Sequence, residues 1–149
     1  AVYNGTAGKE GWEKITLAST IGGMVINTAG VTLAHGMEHP ASGLKNIVHG
    51  QGLAALTPVI IEASYKGNRE KFSKIARIMG GMTAEDCATK IRTLLKKLDL
   101  NYTLSDLGIK EEDIPWMAEN CMKVSAAGVM NNPVVFLKEE IAEIYRKAL

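Results

Sequence analysis

The sequence predicts an all-α fold, a multi-helix bundle formed as one domain over residues 1–149. Three observations carry that prediction. Apolar residues recur at three- and four-residue spacing in several stretches, glycine and proline breaks separate those stretches, and no apolar and polar alternation persists between hairpin turns.

In chain order, the first element is the uncharged run from Ile15 to Met37. Its length alone would suit a bilayer. Thr16, Ser19, Thr20, Asn27, Thr28 and Thr32 interrupt it, however, and Gly22, Gly23, Gly30 and Gly36 permit close backbone approach, so a helix buried inside a folded protein is expected. Pro40 and Pro58 fall in or beside apolar segments, where the missing N–H should kink or end a helix. Phe72, Ile75, Ala76 and Met79 repeat at helical spacing before Gly80-Gly81, which suits a left-handed C-terminal turn. Thr83 is expected to cap the next helix, with Glu85 and Asp86 in its first turn and Ala88, Ile91, Leu94, Leu95 and Leu98 as its apolar stripe. Ser105 to Gly108 reads as a turn, and Pro115 then sits where a first helical turn tolerates it. Asn131-Asn132-Pro133 breaks the chain before a closing amphipathic helix through Leu137, Ile141, Ile144, Tyr145 and Ala148. Trp12, Trp116, Phe72, Tyr65 and the seven methionines are read as core or interface packing.

Lys and Arg number 17 against 16 for Asp and Glu, so no single-sign field favours nucleic acid or an anionic membrane surface, and neither is expected as a partner. Cys87 and Cys121 lack close Cys or His spacing and are read as free thiols in a reducing cytoplasm. The start at Ala1-Val2-Tyr3 has neither a basic n-region nor an initiator Met, which suggests a cloning boundary or a processing site and no signal peptide.

All three histidines fall between His35 and His49. On a helix His35 and His39, four apart, project together, and His49 can return at the start of the next helix. Three imidazoles could then converge, and imidazole binds Zn²⁺ or Fe²⁺ at about 2.0–2.1 Å. A His-x-x-x-His pair alone serves helix capping or core hydrogen bonds as readily, and the third His with its flanking Gly36, Gly43, Gly50 and Gly52 tips the reading toward metal. Glu38 is expected to point off the His35 and His39 face, so no carboxylate completes the shell.

The segment Ala34-His35-Gly36-Met37-Glu38-His39-Pro40, followed by Val48-His49-Gly50-Gln51-Gly52-Leu53-Ala54 and Pro58, resembles the second signature of the iron-containing (group III) alcohol dehydrogenases. Leu104-Ser105-Asp106-Leu107-Gly108-Ile109, Glu112-Asp113-Ile114-Pro115 and Asn132-Pro133 follow the same family's C-terminal pattern, so the likeness extends from about Gly11 to Leu149. The resemblance implies the C-terminal helical domain of a dehydroquinate synthase-like fold. It implies His35 and His49 as metal ligands, with an Asp and a further His supplied from upstream, and His39 as a catalytic residue beside the nicotinamide and substrate. It also implies a divalent metal, Fe²⁺ or alternatively Zn²⁺. NAD or NADP would be held mainly by an N-terminal nucleotide-binding domain, since these residues contain no Gly-Gly-Gly-Ser turn. The implied chemistry interconverts alcohols and aldehydes or ketones; the chain alone is expected to be inactive and to bind metal weakly. A glycerol dehydrogenase-like polyol oxidoreductase domain and a free-standing, non-catalytic helical metal-binding module are the alternatives. A homo-oligomer is expected, with apolar surface exposed on the Ile15 to Met37 helix and on His49 to Ile61.

Overall fold

The computed structural model describes residues 2–149 and contains only helices, turns and loops among them, in agreement with the all-α expectation. The chain divides into two compact units, one running to Val31 and one from Thr32 to Leu149.

The first unit is built on α1 (Lys9–Ala29), which ends where Gly30 takes φ 73°, a left-handed conformation that glycine adopts without cost. The uncharged run is therefore not one helix but two, broken at Gly30. Helix α1 shows the apolar exposure expected on this run and not the burial: it has no buried residue, and Trp12, Leu17 and Met24 are 55%, 59% and 65% exposed. Its threonines are satisfied within the helix, Thr20 Oγ1 donating to the Thr16 carbonyl at 3.0 Å and Thr28 Oγ1 to that of Met24 at 2.8 Å. Gly22 and Gly23 face open space and serve no close approach.

The second unit comprises α2 (Leu33–Lys45), α3 (His49–Ser64), α4 (Arg69–Ile78), α5 (Asp86–Lys97), α6 (Ile114–Val124), α7 (Ala126–Met130) and α8 (Lys138–Ala148). The main core gathers Leu33 and Met37 of α2, Leu56 and Ile60 of α3, Met117 of α6 and Ile141 of α8, and extends to Leu104 and Ile109 in the intervening loop. Tyr145 is wholly buried, and its hydroxyl donates to the Met37 carbonyl at 2.6 Å, linking α8 to α2. At Gly36 an added Cβ would stand 3.2 Å from Ser125 Cβ, so here the glycine does set a close approach, between α2 and the end of α6. A smaller cluster of Phe72, Ala76, Ala84 and Cys87 joins α4 to α5, with Tyr65 packed against it.

Several element ends match their sequence signals. Gly80 has φ 80° and the Gly81 N–H donates to the Ala76 carbonyl at 2.7 Å, closing α4 with the expected left-handed turn. Pro115 lies in the first turn of α6, and the chain breaks after Met130. Others differ. Thr83 stands outside α5; the Asp86 carboxylate instead accepts the backbone N–H groups of Met82 and Thr83 at 2.8 and 2.9 Å. Pro40 and Pro58 end neither α2 nor α3, since packing of Ala41, Val59 and Ile60 into the core offsets one lost backbone bond in each; Pro58 lies in a largely buried helix, as expected. Most of His49 to Ile61 is buried, contrary to the expected exposure. Met37 and Met117 are core residues, whereas Met82, Met130 and Trp116 are exposed. Among the described residues no single helix is long and apolar enough to cross a membrane.

Candidate metal centre

Two turns of α2 and the first residue of α3 bring the histidines together. His35 and His39 lie on α2 at the expected four-residue spacing. The helix stops at Asn46, whose left-handed φ of 54° reverses the chain, and extended Val48 delivers His49 as the first residue of α3. The ring centroids are 5.2 Å apart for His35 and His49, 5.8 Å for His39 and His49, and 6.0 Å for His35 and His39. Convergence of three imidazoles from two elements is the geometry expected from the sequence. His39 and His49 are exposed and His35 is half-buried, so the cluster opens at the surface of its unit.

Burial holds the His35 imidazole below its ordinary pKa, and the neighbouring His49 and His39 push it the same way, against a weaker opposite pull from Glu38. A neutral ring is the form that offers a lone pair to a cation.

The placement of Glu38 corrects the sequence reading. It is fully buried, at 0% exposure, and its Oε2 meets Nδ1 of His49 while its Oε1 receives the Ser42 hydroxyl. Ser42 Oγ also lies 3.0 Å from the Ile47 carbonyl oxygen. The helical wheel of α2 alone could not reveal this, because the partner belongs to α3, which returns across α2 after the Asn46 reversal. Gly52 makes the contact possible: a Cβ there would lie 2.8 Å from both Cγ and Oε1 of Glu38. A carboxylate three residues after one histidine, facing a glycine-rich helix start, was the signal available in the sequence.

One donor atom each from Glu38, His39 and His49 lies within 4.8 Å of the others, a grouping that could close on a single ion by a small inward shift to bonds of roughly 2.0–2.2 Å. His35 is outside this triplet, although its ring is the nearest to that of His49. Two imidazoles and one carboxylate, with the His35 ring beside them, are donor types suited to Fe²⁺ or Zn²⁺, so the residues present fit a borderline divalent metal. A separate cavity of about 320 Å³, lined by Val59, Arg92, Lys96, Tyr102 and Lys147 among others, contains none of the histidines.

The chain is thus an all-helical protein whose histidines cluster at the surface over a buried carboxylate. The profile of the Fe-containing alcohol dehydrogenase family, C-terminal, matches residues 1–149, and the chain belongs to that family. Similar proteins include 1,3-propanediol dehydrogenase of Klebsiella pneumoniae, 35% identical over 91% of this chain and 37% of its own length. Lactaldehyde reductase of Escherichia coli K12 is 31% identical over 94% of this chain and 38% of its own. The iron-containing alcohol dehydrogenase of Thermococcus thioreducens superposes with a TM-score of 0.83 at 28% identity, covering 95% of this chain and 38% of that one. The chain thus spans somewhat more than a third of the length of these relatives.

Proposed function

We propose that this chain is the helical metal-binding domain of an NAD(P)-linked alcohol dehydrogenase that interconverts small alcohols with aldehydes or ketones. The observation that carries the reading is the convergence of His35, His39 and His49 in a chain the family profile matches throughout. The names of the relatives, a propanediol dehydrogenase and a lactaldehyde reductase, favour short hydroxylated substrates.

In this proposal His35 and His49 hold Fe²⁺, or alternatively Zn²⁺, with further ligands and the NAD or NADP site supplied by an N-terminal nucleotide-binding domain. A divalent metal bound there supplies Lewis-acid polarisation of the substrate oxygen. His39 lies one helical turn from His35 and is exposed, so it can meet the nicotinamide and the substrate; its ring has one nitrogen to donate and one to accept a proton. The apolar side chains of Trp12, Ile21 and Met24 on α1 offer a surface for the N-terminal domain or for a second copy in a homo-oligomer. Two buried, unpaired thiols are consistent with a cytoplasmic protein.

The donor spacing favours a second reading of the ligand set, in which Glu38 and His39 join His49. Metal content of the complete dehydrogenase separates the two. On the first reading His35→Ala and His49→Ala deplete the metal at least about tenfold, whereas His39→Ala keeps it and lowers kcat by roughly 10²–10⁴. On the second, His39→Ala loses the metal and His35→Ala keeps it. Full metal content in His49→Ala sinks both.

A further inference from the structure

Glu38 is the only acidic or basic side chain in the buried core of the described residues, and both of its oxygens are engaged. Carboxylates almost never lie at full burial without partners, because desolvation strongly disfavours them there. No buried side-chain nitrogen or oxygen among the described residues lacks a hydrogen-bond partner, and Glu38 meets that condition through Ser42 on one oxygen and His49 on the other. The carboxylate also packs against the first turn of α3, where Gly52 gives it room and where the positive end of the helix dipole favours negative charge.

The polarity of this contact fixes the chemistry of the ring. A carboxylate in its ionised form only accepts hydrogen bonds, and the His49 nitrogen that faces such a group is the one that carries the hydrogen. A neutral imidazole holds one N–H, so Nε2, on the far side of the ring from Nδ1, is then left with a bare lone pair. The His49 side chain is 50% exposed while Glu38 is covered, so Nε2 is directed away from the buried carboxylate and toward the open side of the cluster.

We propose that Glu38 is a positioning residue for His49: its buried carboxylate holds the His49 hydrogen on Nδ1 and presents Nε2 as the metal-binding atom. This rests on the reading of His49 as a ligand. It adds a residue that touches neither metal nor substrate but decides which face of the ligand is available, with Ser42 and Gly52 holding that residue in place. Such outer partners orient ligand rings, and their loss typically weakens metal binding by about 10- to 100-fold.

The test uses the 149-residue chain labelled with ¹⁵N in its histidines. Two-bond ¹H–¹⁵N spectra report the tautomer of each ring, and the same samples are titrated with Zn²⁺ alone. In the unsubstituted chain His49 is expected as the Nδ1–H form; an Nε2–H form overturns the proposal without any variant. Glu38→Gln keeps the volume, but its amide can donate to Nδ1. It should move His49 to the Nε2–H form and weaken Zn²⁺ binding by about 10- to 100-fold with the helical circular dichroism unchanged. Gly52→Ala, which leaves the charge in place but crowds Glu38, should shift both readouts in the same direction. An unchanged tautomer with weakened Zn²⁺ binding in Glu38→Gln would make Glu38 a direct ligand and overturn the positioning role. His49→Ala supplies the independent check: if it binds Zn²⁺ as tightly as the unsubstituted chain, the ligand reading fails, whatever the tautomer shows.

Discussion

Helices α1 and α3 make a useful pair. Both are long, apolar and rich in small residues, and the central part of each carries no charge. Yet α3 buries Gly52, Ala54, Ala55, Leu56, Pro58, Val59, Ile60 and Ser64, whereas no residue of α1 is buried. Composition therefore states how strongly a helix benefits from being covered, not what covers it. That depends on whether neighbouring elements present a complementary surface, as α2 does to α3 through its histidines, Glu38 and core methionine.

The contrast is tested most severely by matched truncations. Leu56→Ala in the core should lower stability by about 2–5 kcal/mol, while Leu17→Ala on α1 should stay within about 0.5 kcal/mol of the unsubstituted chain; urea unfolding measures both. Similar losses at the two sites would mean that α1 is as well packed as α3. Within the buried unit, Tyr145→Phe removes the hydroxyl from the Met37 carbonyl and should cost about 1–2 kcal/mol in the same assay. On α1 the matching question is association. At high concentration the chain should self-associate, and Ile21→Glu should weaken that association by roughly tenfold, equivalent to about 1.4 kcal/mol. Light scattering that shows only monomer at every concentration would remove α1 as an interaction face.

The smallest effect is electrostatic. Asp113 is held below the ordinary carboxylate pKa, first by the Lys110 backbone N–H at 2.9 Å, with Lys45 at 3.1 Å adding to it. A carboxyl group depressed in the folded state stabilises the fold above its unfolded pKa, about 3.9, and that stability is lost as the pH falls through the folded value. Asp113→Asn should therefore lower the melting temperature slightly at neutral pH, and the difference should vanish in strong acid. A difference that persists at low pH would point to packing instead of charge.

How much was legible in the sequence follows the range of the interactions. The end of α4 at Gly80, the start of α6 around Pro115 and the break at Asn131-Asn132-Pro133 depend on neighbouring residues, and all were readable. The α5 cap was read two residues early, at Thr83 in place of Glu85, because the Asp86 carboxylate accepts the Met82 and Thr83 N–H groups and holds that stretch as a turn before the helix. Pro40 and Pro58 do not end their helices, because the cost of a lost backbone bond is local while the gain from core burial is not, and Pro58 sits in a largely buried helix as expected. In the site, the pairing of His35 with His39 follows from one helix, and the return of His49 followed from a short connection. The burial of Glu38 did not, since it needs both the Asn46 reversal and the Gly52 recess on a different helix.

Cys121 lies beneath the helix that carries His35 and His39, with its Sγ 3.5 Å from where a Cβ on Gly36 would stand. Burial pushes its thiol pKa up to about 12, so at neutral pH it is neither accessible nor ionised in the closed structure. Alkylation at this position requires an opening that uncovers α6, and lifting of α2 is one such opening, which makes the labelling rate a clock for it. A cation that draws His35, His39 and His49 together should slow the clock, reporting occupancy of the surface cluster from a sulfur atom that never touches the ion.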